Sequence, residues 1–242
     1  MTLPTPRRVG LIIPSSNRMV EQEMAHNYPP GVVVHVNRLR MTGPQRVPLS
    51  DLMPRIVEAG AALADAKCET VTFHCTANST DDGTAGEAAI LDALRRGGVN
   101  RPSSTATAVR RALEVSGARR IVLVTPYSQT VTDHEAEFFT GIGIEVLTAR
   151  GYGLDGSDAY CTTPPAFWRE KAVAARHAQA DLYFLSCANI SAFSVIADLE
   201  RELGRPVISS NQVVVWDQLA SHGLALSASA RGHCPGGLLA KG

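Results

Sequence analysis

The sequence predicts an α/β protein built as two similar parallel-sheet lobes facing each other across a cleft. Three observations carry that prediction. Apolar, β-rich runs alternate with helix-like stretches along the chain, the pattern of a parallel sheet with covering helices. Several runs, among them "RIVLV" from Arg120 and "LYFL" from Leu182, have no polar alternation, as expected of strands covered on both faces. The second half also repeats the first at an offset of 112 residues, which places Pro14 on Pro126, Ser16 on Ser128, Gly31 on Gly143, Arg38 on Arg150 and Cys75 on Cys187.

Taken in order, "RVGLIIP" reads as the first strand and "RMVEQEMAHN" as the helix after it. "GVVVHV" precedes the helical "LSDLMPRIVEAGAALADA", and "ETVTFHC" precedes "TAGEAAILDALRRGG", where Thr84 and Glu87 have the spacing of a capping box. The alternation restarts at "RRIVLVTP". Beyond the second cysteine the offset slips to 104, where "RPSS" at Arg101 meets "RPVISS" at Arg205, so the first copy carries extra residues before its last strand. The duplication divides the chain into lobes at 1–112 and 113–242, related by a pseudo-twofold axis, with the chain crossing between them.

The 23 basic and 23 acidic residues give a net charge of zero and no basis for nucleic acid or an anionic membrane as partner. No apolar run approaches the ~20 residues of a membrane helix. The stretch "MTLPTPRRVGLIIPSSN" reads as a first strand and not a signal peptide, so a cytoplasmic location is expected. Homo-oligomer formation is left open. Five cysteines, an odd number without a CxxC pair, argue against a disulfide framework or a zinc site, and no metal is expected. Cys68, Cys161 and Cys234 read as small buried hydrophobes.

Cys75 and Cys187 are different, because both end equivalent strands and ligands of open α/β sheets bind beyond the carboxyl ends of strands. Across a pseudo-twofold cleft they would face one ligand from opposite sides. A cofactor-free racemase or isomerase needs such a pair, one thiolate attacking or deprotonating and one thiol supplying a proton on the other face. Thr76, Asn78, Ser79 and nearby N–H groups could favour a thiolate, and the same loop could cradle a carboxylate without Lys or Arg. His74 adjoins Cys75 but points to the other face of its strand, which excludes it as the thiol's base. Ser16 and Asn17 have two readings, as caps of a helix near Arg18 or as substrate contacts. Glu21 and Asp133, at equivalent positions, are explained as solvated first-turn acids.

In combination, "VGLIIPSSN", "HCTANS", "RRIVLVTPYSQTVTDHEAEFF", "LSCANIS", "RPVISSNQVVVWDQL" and "GHCPGGLLA" resemble the aspartate/glutamate racemase superfamily, in its branch containing maleate cis-trans isomerase and arylmalonate decarboxylase. The resemblance implies that Cys75 and Cys187 are the paired catalytic cysteines and that no cofactor is used. In the decarboxylase a glycine stands at the position of Cys75, which speaks against that chemistry. The resemblance further implies that Asn17 contacts substrate, with Ser16 beside it, and that Tyr127, with Ser128 beside it, is aimed at a carboxylate. Thr76, Ala77 and Asn78, with Ala188 and Asn189 after the second cysteine, correspond to carboxylate-holding loops.

Three departures separate this chain from the isomerases: the polar "TANST", closer to racemase loops, a replaced asparagine near Ser157, and the decarboxylase-like "SSNQVVVWDQL". The expected function is a cofactor-independent isomerase of a small carboxylic or dicarboxylic acid, most like maleate isomerase. Racemization of an α-substituted acid, decarboxylation of an arylmalonate type, and non-catalytic binding of a small carboxylate are the alternatives.

Overall fold

The structure is a computed structural model that describes residues 6–24, 27–41 and 47–224, so Cys234 and the "GHCPGGLLA" motif lie outside the described residues. The first half runs β1 (Arg7–Pro14), α1 (Val20–Met24), β2 (Val32–Leu39), α2 (Leu49–Asp65), β3 (Thr70–Phe73), α3 (Thr76–Thr80), α4 (Gly83–Arg96), β4 (Pro102–Ser104) and α5 (Thr105–Ser116). The second runs β5 (Arg120–Thr125), α6 (Gln129–Gly141), β6 (Glu145–Gly151), α7 (Gly156–Thr162), α8 (Pro165–Ala174), β7 (Leu182–Leu185), α9 (Phe193–Leu203), β8 (Val207–Ser209) and α10 (Ser210–Ala220). Each half forms a four-stranded parallel sheet, in the orders β2-β1-β3-β4 and β6-β5-β7-β8. The predicted α/β class and the pair of parallel sheets are what the structure contains.

The ladder registers refine the repeat. Ile12 pairs with Phe73 as Val124 pairs with Leu185, in keeping with the offset of 112. A bulge after Ile121 adds one residue to β6, so Arg150 stands opposite Val124 where Asn37, not Arg38, stands opposite Ile12. At the last strands Val71 pairs with Pro102 and Tyr183 with Val207, which makes the offset 105 there and corrects the 104 suggested by the two "RP" dipeptides. Gly31 and Gly143 hold: both have positive φ, 90° and 82°, in the left-handed region that disfavours a side chain. The Thr84–Glu87 capping box does not form. Asp82 is the N-cap, and the buried Glu87 turns to α5, where it accepts from the Thr107 hydroxyl at 2.5 Å.

One outer core packs α2 and α4 on the first sheet, and another packs α8 and α9 on the second. The central core joins both sheets through residues of α1, α5, α6 and α10. Every residue from Ser210 to Leu219 of α10 is buried, polar ones included. Most of its polar side chains find partners, although the Gln212 Nε2 and Trp216 Nε1 have none among the described residues. Gln218 donates to the Gly10 carbonyl and the Thr72 hydroxyl, both at 3.0 Å, and accepts from the Tyr28 hydroxyl at 2.6 Å. Asp217 accepts from Ser103 at 2.8 Å and pairs with Arg111. The helix that follows the last strand of the second sheet is thus bonded to the first, which draws the carboxyl ends of β3 and β7 to one place. Among the described residues no helix is long and apolar enough to cross a membrane, and no His, Cys, Asp and Glu cluster could hold a metal.

Candidate active site

β3 and β7 are four-residue, fully buried strands, and each runs two residues past its end into a cysteine. The two thiols line one cavity of about 100 Å³ between the lobes. Of the residues singled out in the sequence, Ser16, Asn17, Thr76 and Ala77 reach this inner cavity from the first lobe. Tyr127, Ala188 and Asn189 reach it from the second. Asn78 and Ser128 line instead an adjoining outer cavity of about 390 Å³. Ser128 serves as N-cap of α6, accepting from the Val131 N–H at 3.4 Å. Pro14, Ser157 and Tyr160 also line the inner cavity, and Tyr160 was not singled out.

The surroundings of the two thiols differ. Cys75 is half-buried with extended backbone (φ −141°), and its thiol donates to the Asn78 Oδ1 at 3.3 Å. Cys187 is buried and sits at φ 135°, a conformation that costs a non-glycine residue about 1–3 kcal/mol. Its N–H donates to the Ser210 hydroxyl oxygen at 3.0 Å, and that oxygen also accepts from the Thr76 hydroxyl at 2.9 Å. Ser210 therefore ties the loop after the first cysteine to the backbone of the second. It also commits the Thr76 hydroxyl.

Burial pushes the Cys187 thiol up to about 12, opposed by hydrogen bonds from the Tyr127 hydroxyl and the Asn189 N–H, the latter at 3.3 Å from the sulfur. Cys187 is a protonated thiol at neutral pH. Tyr127 is itself held above the usual phenol range by burial and the neighbouring Cys187. Its N–H donates to the Thr125 hydroxyl oxygen at 3.1 Å and its carbonyl accepts from the Gly153 N–H at 2.8 Å. Gly151 permits this packing, because a Cβ there would lie 2.8 Å from the Tyr127 carbonyl oxygen.

Asn17 fulfils the capping reading, its Oδ1 accepting from the Met19 and Val20 N–H groups at 3.0 Å; it also lines the cavity, where its Nδ2 donates to the Ala188 carbonyl at 3.0 Å. Asn189 accepts from the Arg18 N–H at 2.9 Å and donates to the Ser157 carbonyl at 3.0 Å, and the Ser157 hydroxyl donates to Ser16 at 2.8 Å. His74 points away from Cys75, as expected. It lies fully buried between the Thr105 hydroxyl and the Asn211 Oδ1, each at 2.9 Å, and burial lowers it to about 4. Among the described residues no Lys, Arg or His lines the inner cavity, so an anion there would meet dipoles and N–H or O–H donors.

Comparison with known proteins agrees with this fold. The family model for arylmalonate decarboxylase matches residues 9–234. The arylmalonate decarboxylase of Bordetella bronchiseptica is 26% identical over 86% of this chain and 88% of its own. The maleate isomerase of Nocardia farcinica is 26% identical over 93% of this chain and 94% of its own. A solved structure of the Nocardia farcinica maleate cis-trans isomerase, a cysteine-to-serine variant with a covalently bound succinylcysteine intermediate, shares the fold. Its TM-score is 0.81 at 24% identity, covering 90% of this chain and 94% of that one.

Proposed function

The chain belongs to the arylmalonate decarboxylase family, and from that premise we propose that it is a cofactor-independent isomerase of a small dicarboxylic acid, of the maleate cis-trans isomerase kind. The observation that carries this reading is the pair of thiols on one cavity in unequal surroundings, one half-buried and one buried and protonated. Burial disfavours the charged form, so the half-buried Cys75 is the nucleophile and Cys187 the acid.

The Cys75 thiolate adds to one alkene carbon, and the π electrons move to the neighbouring carbon, which takes the proton of Cys187. The central bond is then single and rotates. The Cys187 thiolate recovers the proton, the carbon–sulfur bond breaks, and the trans acid leaves with Cys75 again a thiolate. The negative charge that develops next to a carboxylate is met by fixed donors on the wall, which act strongly where water is excluded. The covalent adduct in this sequence is of the kind named in the Nocardia farcinica structure.

The decarboxylase relative supports a second reading, in which Cys187 alone delivers a proton after carbon dioxide leaves. That reading gives Cys75 no step, although its sulfur lines the same cavity. Proton NMR in D2O of maleate and of an arylmalonate, with wild type, Cys75→Ala and Cys187→Ala, separates the two. Conversion of maleate to fumarate that disappears in both variants is expected. Carbon dioxide release that survives loss of Cys75, with no fumarate formed, would establish the decarboxylase instead.

A further inference from the structure

We propose that Tyr160 is a specificity-determining residue, its phenol hydroxyl donating to one carboxylate of the substrate inside the thiol cavity. This rests on the dicarboxylate reading above. Among the described residues no cationic side chain lines the inner cavity, so a carboxylate there is met by hydrogen-bond donors, and several of the side-chain donors are already engaged. The Thr76 hydroxyl goes to Ser210, and the Ser157 hydroxyl to Ser16. The Asn17 and Asn189 amides each donate to a carbonyl of the wall, and the Tyr127 hydroxyl goes to the Cys187 sulfur. Tyr160 lines the same cavity, and among the described residues its hydroxyl has no hydrogen-bond partner.

Its placement is defined from three sides. The ring meets Tyr127 edge-on, with centroids 5.9 Å apart and planes at 71°. Burial holds the hydroxyl at about 12, so it remains an O–H donor at neutral pH. Tyr160 also lines the outer cavity and therefore stands in the wall between the two. α7, which carries it, is fastened to the first lobe by the Ser157–Ser16 hydrogen bond and the Arg18–Asp158 ion pair. A dicarboxylate with one carboxylate against the N–H groups of the cysteine loops would present the other to this phenol.

The test is Tyr160→Phe, read by maleate kinetics and by calorimetric binding of succinate, which has no double bond to isomerize, and of crotonate, a monocarboxylate. The expected result is about a 10-fold rise in KM for maleate and in Kd for succinate, with kcat within about threefold and crotonate binding unchanged; a lost neutral hydrogen bond to a charged group is worth about that factor. Tyr160→Gln, which restores an N–H donor, should recover part of the loss. Equal KM and Kd in wild type and Tyr160→Phe would overturn the inference while leaving the isomerase in place. Equal weakening of crotonate and succinate would also overturn it, by assigning Tyr160 to packing. A wild type that neither isomerizes maleate nor binds succinate would overturn the dicarboxylate reading and this inference with it.

Discussion

In the first lobe the strand-end cysteine, Cys75, keeps extended backbone and contact with solvent, whereas its equivalent in the second, Cys187, is buried and strained at φ 135°. The residue before each differs as well: His74 joins Thr105 and Asn211, while Ser186 donates to Glu135 at 2.6 Å. Behind these stand Glu23 and Glu135, again 112 residues apart. Glu23 accepts from the Ala192 and Phe193 N–H groups at 2.7 and 3.1 Å and from Asn211 at 2.8 Å, whereas one oxygen of Glu135 has no partner among the described residues. Duplication placed the same side-chain types at matching sites. The lesson is that equivalent positions acquire different surroundings, one thiol remaining half-buried and the other enclosed.

The sharpest way to break this comparison is selective alkylation. Iodoacetamide attacks thiolates, so Cys75 should be modified at least about 100-fold faster than Cys187 at pH 8, read by peptide mass spectrometry. Equal rates would remove the asymmetry on which the assignment of nucleophile and acid depends.

Ser210→Ala leaves the buried Cys187 N–H and the Thr76 hydroxyl without their shared acceptor. A loss of about 1–3 kcal/mol in urea unfolding is expected, together with about a 10-fold fall in kcat and little change in KM. A stability loss without any change in kcat would make the bridge purely structural.

The smallest effect concerns the two acids. Burial raises Glu135 to about 7 from the ordinary 4.5, so its protonated form contributes stability that is full below about pH 4.5 and is lost as the pH rises through 7. Glu135→Gln keeps an acceptor for Ser186 and carries no charge to bury. It should gain on wild type as the pH goes from 5 to 8, by up to about 2 kcal/mol in urea unfolding. Glu23→Gln should destabilize at both pH values by about 1–3 kcal/mol, because an N–H group then faces donors. Like-signed effects at pH 8 would show the two positions to be electrostatically alike.

Much of the fold was legible because strand and helix signals are local. The edges of the repeat were less so: the β6 bulge and the offset of 105 depend on which backbone groups pair, and matching dipeptides do not reveal that. Tyr160 escaped notice because α7 buries no residue and so has no apolar periodicity to mark it. Ser210 stood inside a quoted motif, but its partners lie 134 and 23 residues away. Nothing in the sequence separates Glu23 and Glu135 from other helix acids. Glu135 is set apart by its full burial and Glu23 by its bonds to Ala192, Phe193 and Asn211.

The sequence by itself determined the α/β class, the duplication, the two strand-end cysteines and the polar loops that follow them, because each is written in neighbouring residues or in a constant offset. Which thiol is shut away from water, which hydroxyls are already engaged and which phenol lines the cavity were decided by the tertiary structure alone. Burial and hydrogen-bond geometry arise where the two sheets and α10 meet, and there groups distant along the chain become each other's solvent.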